Sequence, residues 1–228
     1  MYKKEEMKKP IAAQQARSRE SLGRLLKAAA EILQEEGLEG ATIPRIVARA
    51  GLSPGAVYRR FPDKDALLQT VVLTIMQQND EGVEGLLTRE RAAKSTLRES
   101  VEQILRQTVG SYRQYSRLLS AVLHYFRSHP DAAFRRKVDE IETRTFRRVV
   151  DFLLHFRKEI RHPNPESAVA FAFAVAGHSL REIILMEAMT DVWLPLLPKD
   201  DDQLVEEFTA MILSYLGAPQ GSKRKPGR

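Results

Sequence analysis

No stretch of this chain alternates apolar and polar residues at period two, while nearly every apolar run recurs at three- and four-residue spacing. That pattern builds helices and offers no half-buried sheet face, so the fold class it predicts is all-α. Leu22, Leu25, Leu26, Ala29 and Leu33 mark one face of a first helix that ends near Gly37. Thr42 is placed to cap a short second helix containing Ile46, Val47 and Ala50. Pro44 is tolerated there because its missing N–H is one that a first turn leaves unpaired anyway. Gly51 stops this helix by taking the left-handed conformation cheaply. Ser53 caps a third helix with Pro54 at its first position, and Pro62 disfavours helical geometry at Phe61 and so ends it. Asp63 then caps a fourth helix through Leu67, Leu68, Val71, Val72 and Ile75.

Beyond Met76 the helices lengthen. Gly82 and Gly85 predict a weakening or bend in the fourth. A fifth runs through Leu97, Val101, Ile104, Thr108 and Tyr112, and a sixth carries Leu118, Leu119, Val122, Leu123 and Phe126. Pro130 opens a long seventh that reaches Phe156. Asn164 and Pro165 start an eighth over 165–189, Trp193, Pro195 and Pro198 form a connector, and Leu204 to Tyr215 make a ninth. The expected organisation is about nine helices: a basic arm at 1–16, a domain of short helices at 17–68, a larger helical domain at 69–217, and a basic, disordered tail at 218–228.

Composition removes several function classes. The 228 residues contain no Cys, which excludes disulfides, thiolate nucleophiles and thiolate-bound metals. There is no G-x-S-x-G, no phosphate-cradling Gly loop and no His-rich metal spacing, so no enzyme, cofactor or metal site is expected. No run approaches eighteen apolar residues and the N-terminus lacks a secretory pattern, so the expectation is a cytoplasmic protein without a membrane span. The net charge of +6 is uneven, being +4 over residues 1–70, −2 over 71–216 and +4 over 217–228. A basic first region on a slightly acidic body points to a polyanionic partner.

The short second and third helices, joined through Gly51, form a helix-turn-helix. On the third, Val57 and Phe61 face the core while Gly55 and Arg59 lie on the far side and Arg60 near the core boundary. Pro54, Gly55 and Ala56 keep its first turn thin, which lets backbone approach a groove floor. Lys64 is a cation in the first turn of a helix, against the macrodipole. Either it is simply solvated or a phosphate shares it with the helix terminus.

The segment TIPRIVARAGLSPGAVYRRFPDKDAL, Thr42 to Leu67, closely resembles the DNA-binding segment of the tetracycline-repressor (TetR) family. The pattern is Thr, then Ile-x-x-x-Ala-Gly-x-Ser-x-Gly-x-x-Tyr-x-x-Phe-x-x-Lys-x-x-Leu. It is met by Thr42, Ile46, Ala50, Gly51, Ser53, Gly55, Tyr58, Phe61, Lys64 and Leu67. The first helix extends the resemblance to residues 17–70, and beyond that it is architectural only. The resemblance implies a homodimeric regulator, usually a repressor, that binds palindromic duplex DNA and takes a small effector in its helical body. It implies phosphate contacts by Thr42, Tyr58 and Lys64. Arg45, Ser53, Pro54, Gly55, Ala56, Arg59 and Arg60 then stand near bases or adjacent backbone, with Arg59 the expected base reader. The sequence departs from the pattern at Pro44, often polar, at Ala56, commonly Thr or Ser, and at Val47, frequently Ala. The arm residues Lys3, Lys4, Lys8, Lys9, Arg17 and Arg19 either enter a minor groove or form a solvated tail. Lys223, Arg224, Lys225 and Arg228 pose the same choice.

The eighth helix is apolar almost all round and must be covered on two sides. With the ninth it can form a four-helix bundle across a two-fold axis. Phe171, Val175, Ile183, Phe208, Met211, Ile212 and Tyr215 are the candidate dimer face, against the alternative of a central helix in a monomer. Met76, Tyr112, Tyr115, His124, Phe126, Phe173 and His178 are the candidate ligand-pocket residues. His178 and Glu182, one turn apart, either share a ligand or form a plain structural pair. A body that binds a protein partner in place of a small molecule is the alternative reading.

Overall fold

The computed structural model describes residues 11–128, 131–185, 197, 198 and 200–219, and for 11–14, 122–124 and 126–128 the backbone alone. Every regular element among the described residues is helical. In order they are α1 (Ile11–Gly40), α2 (Ile43–Ala50), α3 (Pro54–Tyr58), α4 (Lys64–Leu86), α5 (Arg89–Lys94), α6 (Leu97–Gln114), α7 (Ser116–Ser128), α8 (Ala132–Leu153), α9 (Pro165–Leu185) and α10 (Asp201–Tyr215), with a 3-10 turn at Leu154–Glu159. Two compact units result, Met1–Thr74 and Ile75–Arg228, and the division falls inside α4.

In the first unit the local signals act as expected. Gly37 has φ 70° and breaks α1, so the regular helix stops at Glu36. Gly51 takes φ 64° and its N–H reaches back to Ala48, closing α2. Asp63 Oδ1 accepts from the Ala66 N–H at 2.7 Å and caps α4. Thr42 and Ser53 occupy the N-cap positions of α2 and α3 with extended backbone, but neither hydroxyl bonds to the helix it precedes. Leu25, Ile32, Leu33, Ile46, Val57 and Leu67 form the centre of this small core, each at most 2% exposed.

The second unit is built round α9, which packs against α6, α7, α8 and α10. Leu97, Val101, Leu105, Leu153, Val169, Ala176, Leu180, Ile212 and Leu213 form its dry centre. α9 is long and apolar enough to cross a membrane by length and composition, yet one side of it is the core of this bundle. Three helical expectations change. α4 runs through Gly82 and Gly85 to Leu86, because neither glycine is asked for a non-helical φ. α8 starts after Asp131, whose carboxylate accepts from the Ala133 and Phe134 N–H groups, and Phe156 lies beyond its end in the 3-10 turn. The short α5, capped by Thr88, was not visible as an apolar stripe because it buries a single residue, Ala92. Trp193, Pro195 and the residues beyond Leu185 assigned to the eighth helix lie outside the described residues, as do Lys3, Lys4, Lys8, Lys9, Lys223, Arg224, Lys225 and Arg228.

Among the described residues of this unit, one charged side chain is fully enclosed. Asp80 of α4, 1% exposed, accepts from Thr145 Oγ1 at 2.7 Å and from Arg144 Nε at 2.7 Å, and pairs with Arg148 at 2.5 Å. Burial pushes its carboxyl up, and these hydrogen bonds and the Arg148 charge more than offset that, leaving it below the usual aspartate value.

Candidate nucleic-acid interface

The first unit presents α2 and α3 with their N-terminal turns bare. The hydroxyls of Thr42 and Ser53, unused as caps, remain available to an external acceptor. Tyr58 is 59% exposed although its neighbour Val57 is fully buried, so the phenol stands out from the core surface. Ala56 and Val57 turn inward. Pro54, Gly55 and Arg59 face outward together, and the nearest atom to a Cβ built on Gly55 is Arg59 Nη1 at 3.9 Å. The outer face of α3 is therefore a thin glycine-proline turn with one exposed guanidinium lying over it, which suits entry into a major groove.

Three expected DNA contacts prove to have internal partners. Arg60 donates to Ala56 O at 3.1 Å, Ser18 O at 3.2 Å, Ser18 Oγ at 3.0 Å and Ser21 Oγ at 2.8 Å, which ties α3 to α1. Both its terminal nitrogens are engaged within the unit, which favours a positioning role over the expected approach to DNA. Arg45 is paired with Glu36 at 2.5 Å, and Arg49 with Glu35 at 2.7 Å. The Glu35 hydrogen bond raises the Arg49 guanidinium further above its ordinary value. Lys64 Nζ donates to Leu38 O at 3.2 Å, so it satisfies a carbonyl freed where α1 breaks at Gly37. That explains a lysine in the first turn of α4 without a phosphate, and two of its N–H donors remain. The inward turn of Ala56 limits it to a backbone approach. Arg17 and Arg19 are exposed on α1.

The residues expected in a ligand pocket divide. Phe173 is 8% exposed within the apolar core, and Tyr112 is half-buried against that core. Met76 and Tyr115 are half-buried. His178 is exposed, and its Nδ1 hydrogen-bonds Ala174 O one turn back at 2.8 Å, so it does not join Phe173, and its pairing is with its own helix. The side chains of His124 and Phe126 lie outside the described residues. Burial pushes the Tyr112 phenol up, with Arg181 pulling it back, and burial likewise pushes the Glu142 carboxyl up against the same arginine. Among the described residues no three His, Asp or Glu side chains are grouped to hold a metal.

On α9 and α10, Phe171, Val175, Met211 and Tyr215 are 58%, 39%, 43% and 43% exposed. The Phe171 and Tyr215 rings lie 5.6 Å apart, so these side chains form one apolar strip across two helices. Ile183 and Phe208 are half-buried. Ile212 is fully buried and belongs to the unit's own core, on the flank of α10 about 100° round from Met211.

Residues 25–71 match the family described as bacterial regulatory proteins, tetR family. The HTH-type transcriptional regulator BetI of Escherichia coli O157:H7 is 29% identical over 162 residues, covering 69% of this chain and 79% of BetI. Among solved structures, the fatty acid degradation regulator FadR of Bacillus halodurans shares the fold at TM-score 0.63 and 16% identity, over 87% of this chain and 97% of that one. FadR of Bacillus subtilis in complex with stearoyl-CoA does so at TM-score 0.58 and 17% identity, over 85% and 97%.

Proposed function

We infer from the match over residues 25–71 and the likeness to BetI that the chain is a transcriptional regulator of the tetR family, and we propose that it is a cytoplasmic, homodimeric repressor of a palindromic operator, released by a small molecule in its helical body. The observation that carries the DNA-binding part is the exposed face of α3, with Arg59 over Gly55 and Tyr58 beside it. Arg59 supplies the bidentate donor pair that guanine accepts. Thr42, Ser53, Tyr58 and Lys64 supply phosphate contacts that fix register. The dimer is supported by the strip of Phe171, Val175, Met211 and Tyr215, since large apolar side chains in one contiguous patch mark a surface that is covered in use. A homodimer would carry two copies of α3, one for each half-site of a palindrome whose halves lie about one helical turn apart.

Effector control rests on the polar residues at the edge of the second core. Tyr112, Glu142 and Arg181 come from three helices and influence one another's charge, a mixture of aromatic and ionisable groups suited to orienting a small molecule. A neighbour in fold holds stearoyl-CoA. The test is fluorescence anisotropy with palindromic duplexes from the gene's own promoter region, followed by a thermal-shift screen of small molecules. Specific binding that a stabilising compound reverses is the expected outcome. Failure to prefer any palindrome sinks the operator reading, and a body that no compound stabilises sinks effector control.

A further inference from the structure

The arginine that stands nearest the bare N-terminus of α2 is already neutralised. Arg45 lies three residues beyond Thr42 and its guanidinium is half exposed, yet it is paired with Glu36 at 2.5 Å. Glu36 is the last residue before the break at Gly37, and its side chain is only 27% exposed. Its carboxylate is seated in the space that Gly40 leaves open. A Cβ placed on Gly40 would come within 2.7 Å of Glu36 Oε2 and closer still to Glu36 Cβ. Gly40 O in turn accepts from the Thr42 N–H at 2.8 Å. The turn leading into α2 therefore positions a carboxylate against the cation that precedes the rest of the reading motif.

We propose that Glu36 is a built-in competitor for the DNA backbone, masking Arg45 from phosphate in sequence-independent encounters. The inference rests on the DNA-binding reading above. Non-specific binding to duplex DNA is governed by how many phosphates the protein's cations neutralise, with counterions released in proportion. A cation held by its own carboxylate releases no counterion when it nears a phosphate. To engage, Arg45 must exchange one anion for another while Glu36 stays behind as a like charge beside the duplex. A repulsive element of this kind weakens wrong complexes without adding a contact to the right one. Glu35 and Arg49 repeat the pairing one turn further along α2, but Glu35 is more exposed and has no seat comparable to the Gly40 gap.

The test is a double-mutant cycle of Glu36→Gln and Arg45→Gln, read as affinity for a duplex of scrambled sequence across about 50–200 mM salt. Glutamine keeps the size of the Glu36 side chain, and folding of each variant is confirmed by its thermal transition. Glu36→Gln is expected to tighten non-specific binding about two- to fivefold at low salt and to steepen the log–log salt slope by about one. Arg45→Gln is expected to leave the salt slope of the parent unchanged, with at most a slight weakening from the uncovered Glu36, and to abolish the gain in the Glu36→Gln background. An unchanged slope in Glu36→Gln overturns the inference, as does a gain that survives Arg45→Gln, since either would reduce Glu36 to a unit of net charge. If the parent binds no duplex at all, the DNA-binding reading fails first.

Discussion

Arg59 and Arg60 leave α3 side by side with their guanidinium groups committed in opposite directions. Arg60 makes its four hydrogen bonds to α1 and to its own helix, whereas Arg59 lies exposed over Gly55. Their alanine variants should therefore fail differently. Arg59→Ala is expected to leave the thermal transition in place, weaken operator binding by about 1–3 kcal/mol and relax one operator position. Arg60→Ala should lower stability by about 1–2 kcal/mol, because Ser18 and Ala56 lose a charged donor. It should weaken binding to all sequences alike, through a looser α3. Binding selection and calorimetry on both variants check this, and a sequence-preference change confined to Arg60→Ala would reverse the assignment. The helical wheel already put Arg60 near the core boundary, but its partners, Ser18 and Ser21, lie about forty positions earlier and carry no local signature.

At the scale of the element, α4 illustrates how a helix is fixed by one buried charge. Asp80 sits late in α4 and is held by Thr145, Arg144 and Arg148 of α8. Its carboxyl is depressed, so it stays ionised in the fold to lower pH than in the unfolded chain. A depressed acid contributes stability that is complete above the unfolded-state value, about pH 4. That contribution is lost as pH falls through the folded value. Acid titration of the parent should thus show a loss of stability below about pH 4 that is missing in Asp80→Asn. At neutral pH Asp80→Asn should cost about 1–3 kcal/mol, less than for a fully enclosed pair since both arginines reach solvent. A flat difference between the two proteins across the acid range would refute the pairing. Nothing in the sequence near Asp80 foretells this, whereas the Gly51 stop of α2 and the Asp63 cap of α4 were readable residue by residue, and Thr42 and Ser53 were read to the right positions but not to the right bonds. A cap is decided within one turn of chain, and an ion pair spanning 64 positions is decided by packing.

For the whole molecule, the proposed dimer rests on the apolar strip of α9 and α10. Phe171→Asp together with Met211→Asp places two charges on a surface that would be dry in a dimer. Sedimentation should then shift from dimer to monomer while helical content is kept, and operator affinity should fall because two half-sites are no longer bound together. A parent chain that sediments as a monomer would remove the proposal. The sequence predicted that α9 needs two covers and named all of this strip, but it also counted Ile212, which the fold turns inward. Of the expected pocket residues, His178 stands on the surface and Phe173 in the core.

Sequence by itself determined that the chain is helical, where α2, α3 and the start of α4 fall, and that Thr42 to Leu67 carries the tetR-family pattern. Those properties follow from residue periodicity and from backbone preferences of Gly and Pro that act over a few residues. The tertiary structure decided which cations are free and which are held. Arg45 went to Glu36, Arg60 to Ser18 and Ser21, and Lys64 to the Leu38 carbonyl, leaving Arg59 over Gly55. A charged side chain's task depends on the polar atoms that folding brings within about 3 Å of it, and that distance is set by elements far apart in the chain.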